Sequence, residues 1–400
     1  MRHATLFAKS LILLVVLSAA GCVSAPPEQP SAGNSSSART GERKAGPIRI
    51  GFSMDTLKEE RWQRDKNLFE QRAKELGAEV YTTVANSDDA EQRNQAENLL
   101  TKGVDVLVVV PHNGDVAASI VEAAKRQNVP VISYDRLIKN SDVDLYISHQ
   151  VEKIGEMQAK YLLDRRPTGN YVIVGGSSTD NNALLLHKGQ MNILKPAVDR
   201  GAIKIVADQY AREWQPSAAL NITENALTQT KNDIVAVVAS NDGTAGGVVQ
   251  ALEEQKLAGK VLVSGQDADL AALQRIVAGT QAMTIYKPIK PLADAAAEAA
   301  IKLARGEKVD ATTTINNGKK DVPAILLEPI VVDKSNVVET VVKDGFQKME
   351  DIYKNIPRDQ WPATAPSPAS TPASSRIERS LDQSPVALAA SLRWAVKIIR

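Results

Sequence analysis

The 400-residue chain is 43% hydrophobic and 24% charged, which is the composition of a globular protein long enough for two domains. Its formal charge is +1, but the first 22 residues hold Arg2 and Lys9 and no acid, so the remainder carries 46 basic against 47 acidic groups. Such a balance leaves no electrostatic footprint for nucleic acid.

The N-terminus places Arg2, His3 and Lys9 ahead of an apolar run from Leu11 to Leu17 and then Ser18-Ala19-Ala20-Gly21-Cys22. A basic head, a short apolar segment and small residues make an export signal. The apolar part is roughly half the ~20 residues a spanning helix needs, so it is read as a removable signal. Small residues running into Cys22 resemble the lipobox of bacterial lipoproteins, in which the cysteine is acylated after cleavage; the usual Leu three places before it is Ala19 here. Ordinary secretion with cleavage near Ala20 is the alternative. Cys22 is the only cysteine, so no internal disulfide is expected. Residues 23–46 are rich in Pro, Ser, Ala and Gly and read as a flexible linker.

From Ile48 onward, short β-branched runs alternate with segments of helical period. The strand candidates are residues 48–54, 79–85, 104–111, 130–135, 145–148, 171–176, 203–210, 234–240, 261–267 and 283–287. Helical stretches lie between them at 59–76, 91–102, 116–126 and 151–164, and another follows at 292–304. Ten strands in strict alternation exceed one ordinary open sheet, so the pattern predicts an α/β protein with two doubly wound parallel sheets of about five strands each, breaking near 149–151. Beyond Pro362 the composition shifts to Ala, Pro, Ser and Thr. Residues 351–400 are expected to form a disordered tail.

The enzyme motifs are missing: no G-x-G-x-x-G follows the first strand, and there is no Walker loop, G-x-S-x-G elbow or H-E-x-x-H. The four histidines, at 3, 112, 149 and 187, are not spaced as metal ligands, so no metal and no cofactor is expected. What the chain does carry is a polar residue set beyond the carboxyl ends of predicted strands: Asp135 and Arg136, Asp180 and Asn182, Asn241 and Asp242, Asp267, and Lys287. In open parallel α/β sheets, ligands bind in that position. Each Asp or Asn taken alone reads equally as a turn former or a helix cap. Trp62 and Trp214 lie in charged surroundings outside apolar runs. An indole offers a flat apolar face to the C–H face of a pyranose, while Asp accepts, Arg and Lys donate, and Asn does both for the hydroxyls.

Over residues 48–348 the chain resembles the xylose-binding members of the ribose/galactose-type family of periplasmic binding proteins, which serve bacterial ABC sugar uptake. The resemblance rests on Glu60-Arg61-Trp62-Gln63, Gly103 to Val108, Tyr134-Asp135-Arg136, Asp180-Asn181-Asn182-Ala183, Gly189-Gln190-Met191, Val237 to Asp242, Ser264 to Leu270, and Tyr286-Lys287-Pro288. It implies a type I periplasmic binding protein-like fold with two lobes joined by a three-segment hinge. One lobe is expected from 47–149 and 289–322, the other from 150–288 and 323–350. The polar sugar ligands it implies are Arg61, Asp135, Arg136, Asp180, Asn182, Asn241, Asp267 and Lys287, with Trp62 and Trp214 stacking. Three positive and three negative charges among these predict a neutral crevice, suited to a neutral sugar.

The resemblance further implies a monomeric, non-enzymatic carrier that closes on a monosaccharide, D-xylose before other sugars, and presents the closed form to an ABC permease. Export and a lipid anchor at Cys22 would hold it at a membrane. A sugar sensor feeding a chemoreceptor or sensor kinase is the alternative. A sugar-acting enzyme using Asp180 and Asp267 is a third reading.

Overall fold

The computed structural model describes residues 46–362. The expected signal sequence, Cys22, nearly all of the linker and the tail beyond 362 lie outside the described residues. In chain order the first half runs β1 (Arg49–Met54), α1 (Glu60–Glu75), β2 (Glu79–Val84), α2 (Asp89–Thr101), β3 (Val106–Val109), α3 (Ala118–Arg126), β4 (Val131–Tyr134), β5 (Leu145–His149), α4 (Val151–Arg165), β6 (Gly169–Gly175) and α5 (Asn181–Asp199). The second half continues with β7 (Ile203–Tyr210), α6 (Pro216–Thr230), β8 (Ala236–Ala239), α7 (Asp242–Glu254), β9 (Leu262–Val263), α8 (Leu270–Ala278), β10 (Thr284–Tyr286), α9 (Ile289–Ala304), β11 (Thr313–Asn316), β12 (Asp321–Leu327), β13 (Ile330–Val332) and α10 (Met349–Ile352).

Two sheets organise these elements into two lobes. The first has the order β11-β12-β5-β4-β3-β1-β2 and the second β7-β6-β8-β9, with β10 and β13 forming a separate antiparallel pair. All pairings are parallel except those of β11 with β12 and β10 with β13. Period-two alternation sends Ile50, Phe52, Met54, Val106 and Val108 to a core beneath α1 and α9, and Leu107 and Val109 to a second core beneath α2 and α3. Because helices cover both faces, the strands read as nearly continuous apolar runs. In the second lobe, Gly155 and Gly189 let α4 and α5 approach backbone to backbone: a Cβ on Gly189 would meet the Glu152 carbonyl oxygen at 1.9 Å.

Three expectations change. The ten expected strands become thirteen in a seven-, a four- and a two-stranded set. The handover expected between 322 and 323 falls inside β12, whose Ala324–Leu327 pair with Tyr146–His149 of the first sheet, so the chain crosses at Glu328-Pro329. Pro323 disguises this strand, since proline is rare inside sheets; here pairing with β5 begins one residue after it. The expected tail also starts too early. Tyr353 is buried and Trp361 packs on it, ring centroids 5.5 Å apart, in a core shared with α8 and Val332.

Candidate functional site: an interlobe cavity

The ten residues implied by the resemblance line one cavity between the lobes, together with Glu59 and Gln266; Asp242, also marked at a strand end, lies behind it and accepts from Gln281, Thr284 and the Asp269 backbone N–H. Arg61 and Trp62 stand on the first turn of α1, and Asp135 and Arg136 follow β4. Across the cleft, Asp180 and Asn182 open α5, Trp214 follows β7, Asn241 follows β8, Asp267 follows β9 and Lys287 follows β10. The parallel sheets thus aim their carboxyl ends at each other, and every one of the ten is at most 8% exposed.

Capping and lining functions coincide. Asp180 is the N-cap of α5 through Oδ1, which accepts from the Asn182 backbone N–H, while its Oδ2 accepts from Trp214 Nε1 at 3.2 Å and pairs with Arg136 Nε at 2.8 Å. Asn241 closes a capping box with Thr244 at the start of α7 and still faces the cavity. The choice posed by the sequence between cap and lining residue therefore resolves to both.

Opposite charges bridge the cleft. Arg61 reaches Asp135 at 2.9 Å, Asp65 at 3.1 Å and Asp267 at 3.5 Å, and Lys287 reaches Asp267 at 3.1 Å and Asp135 at 3.6 Å. Arg136 joins Asp180 to Asp55, which it meets at 2.6 Å. Burial opposes ionisation of Asp135, yet Arg61 and Lys287 hold its carboxyl well below the usual range. Burial dominates at Asp65 and Asp180 and pushes both up despite their arginine partners.

The expectation of a neutral crevice needs correction. Glu59 also lines the cavity, so four acids face three cations; behind them buried Asp55 pairs with His112 as well as Arg136, and Asp65 with Arg61. Asp55 directly follows β1, and Asp65 shares a face of α1 with Arg61 at spacing i, i+4, so each stood in a local pattern that the count left out. This excess opposes anionic ligands still more strongly than neutrality would.

Three cavity residues have backbone in the left-handed region: Asp135 at φ 58°, Trp214 at φ 57° and Asp267 at φ 100°. Such conformations are costly without glycine and gather at functional sites. Trp62 has the Arg61 guanidinium 4.2 Å and that of Arg136 5.1 Å from its ring centroid. Among the described residues, Trp62 Nε1, Asn182 Oδ1 and Glu59 Oε2 are buried with no hydrogen-bond partner, one donor and two acceptors at the cavity wall.

Residues 50–308 match the family model of the periplasmic binding protein domain. The chain belongs to the periplasmic binding proteins. This periplasmic binding protein is 53% identical over 306 residues to the D-xylose-binding periplasmic protein of Haemophilus influenzae, covering 76% of the chain and 92% of that relative. It is likewise 53% identical over 308 residues to the D-xylose-binding periplasmic protein of Escherichia coli, covering 77% and 93%. Among solved structures, a carbohydrate transporter solute-binding protein from Chloroflexus aurantiacus in complex with D-glucose superposes with a TM-score of 0.72 at 32% identity, covering 76% of this chain and 98% of that one. The two-lobed architecture is the type I periplasmic binding protein fold. Among the described residues no helix is long and apolar enough to cross a membrane, and no cluster of three metal-ligating side chains occurs.

Proposed function

We propose that this periplasmic binding protein captures a neutral monosaccharide, D-xylose in preference to other sugars, and delivers it to an ABC permease by closing its lobes. The cavity carries the reading: two indoles supply apolar faces, while acids, cations and amides, drawn together from both lobes, supply acceptors and donors in one buried volume. Hydrogen bonds to charged groups contribute roughly 1.5–3 kcal/mol each. Because both lobes contribute, only the closed form satisfies every hydroxyl, and sugar shifts the population toward it. Micromolar affinity, on the order of −8 kcal/mol, is expected.

The same residues argue against catalysis. Asp180 is tied to Arg136, Trp214 and its own helix, and Asp267 to Lys287 and Arg61, so neither is a free acid or base. Export and lipidation at Cys22 complete the proposal, with the anchor keeping the carrier near its permease. Titration calorimetry with xylose, ribose, arabinose, glucose, galactose and xylose 5-phosphate tests the ligand: xylose should bind tightest and the phosphate not at all. Failure of every neutral aldose to bind would sink the assignment. Cys22→Ser should abolish incorporation of labelled palmitate, and retained label would remove Cys22 as the acylated residue.

A further inference from the structure

We propose that Glu60 sets the ligand affinity of this protein from outside the cavity, by capping a helix of the opposite lobe and so clasping the closed form. Glu60 opens α1, in the first lobe, and does not line the cavity, although its neighbours Glu59, Arg61 and Trp62 do. Its Oε2 accepts from the backbone N–H of Leu270, the first residue of α8, at 2.9 Å. Its Oε1 accepts from Gln347 Nε2 at 2.6 Å and from Arg64 at 2.8 Å. Leu270 and Phe346, the neighbour of Gln347, pack on the core built around α8 in the second lobe. Arg64 adds a further bridge, with its guanidinium 4.5 Å from the centroid of Phe346.

The helix end is otherwise incomplete. Asp269 is the N-cap of α8 by position but makes no side-chain cap hydrogen bond. The Asp269 backbone N–H goes to Asp242 Oδ2 of the same lobe at 3.0 Å, while the N–H of Leu270, the first of the helix, is met from outside the lobe. Glu60 supplies that acceptor from the other lobe and sets a carboxylate against the positive end of the helix. Burial opposes its ionisation, but the Leu270 N–H, Arg64 and Gln347 together lower it, so the clasp is anionic at neutral pH. When the lobes part, these contacts break, and their free energy belongs to the closed form alone. Ligand affinity then includes a contribution from a residue that the ligand never touches.

This inference rests on the sugar-binding reading for its ligand, and the test separates the two. D-xylose is titrated calorimetrically into wild-type, Glu60→Ala and Glu60→Gln protein. Glu60→Ala should weaken binding about three- to tenfold, with Glu60→Gln between it and wild type because an acceptor oxygen remains. The loss should appear as faster release in stopped-flow tryptophan fluorescence, with the sugar-free melting temperature held within about two degrees. Gln347→Leu should cost less on the Glu60→Ala background than in wild type. Affinity within twofold of wild type, or a loss matched by a fall in sugar-free stability, overturns the clasp. If wild type fails to bind xylose, the sugar reading falls and the clasp is still judged: the sugar-free closed fraction, read by paramagnetic relaxation from a spin label across the cleft, must drop in Glu60→Ala, and an unchanged fraction overturns it.

Discussion

The indole of Trp214 occupies the space that a side chain on Gly176 would need: a Cβ built there meets the ring carbons Cη2, Cζ2 and Cζ3 at 2.2–2.3 Å. Gly176 follows β6, so the bare end of one strand forms the shelf that sets the ring against the cavity. Gly176 does not have left-handed backbone, so alanine fits the chain there but not the ring. Gly176→Ala should therefore weaken xylose binding tenfold or more while the sugar-free protein still folds, as calorimetry and circular dichroism would report. Wild-type affinity would mean that the ring position is unimportant to the site.

Backbone strain at Trp214 gives a second, separable outcome. Glycine relieves the left-handed conformation, worth roughly 1–2 kcal/mol, whereas alanine does not. Trp214→Ala and Trp214→Gly should lose affinity alike, by at least tenfold, but the glycine variant should unfold at higher urea concentration. Equal midpoints would show that the strain is absorbed elsewhere.

Arg136 is the sole cation bridging Asp55 and Asp180 among the described residues, and all three are buried. Removing one partner of a buried ion pair typically costs about 3–5 kcal/mol. Arg136→Met should lose stability of that order at pH 7 in chemical denaturation, and part of it should return at pH 5 as the stranded Asp180 carboxylate takes up a proton, Asp55 keeping His112 as a partner at 2.9 Å. A loss independent of pH would point to packing as the cause.

His149 ends β5 at the first crossing between lobes and is 1% exposed. Burial, then the nearby Lys287, pushes its imidazole down to about 3 against an ordinary value near 6.5. A group depressed on folding supports the folded state above its unfolded value and withdraws that support as pH falls through the folded one. Wild-type stability should accordingly fall between pH 6.5 and pH 3, and the fall should be shallower in His149→Met. Parallel melting-temperature profiles for the two proteins would remove His149 from the acid response.

Much of this was legible because it is local. Alternating strand and helix periods predict an α/β fold of two sheets, and turn-forming residues at strand ends mark the cavity wall. The weak elements escaped: β11 is polar and exposed, β12 hides behind Pro323, and β13 has three residues. Periodicity has little to act on in each.

The sequence alone determined the α/β fold class and marked seven of the ten lining side chains at strand ends, since strand period, turn chemistry and charge type are carried by neighbours along the chain; Trp62 and Trp214 stood out by their charged surroundings and Arg61 by the family resemblance. Tertiary structure decided how those side chains pair. Arg61 meets Asp267 across 206 residues of chain and Glu60 caps Leu270 across 210. Coulomb energy and helix capping depend on distance through space, and only three crossings between lobes bring these groups within reach of one another.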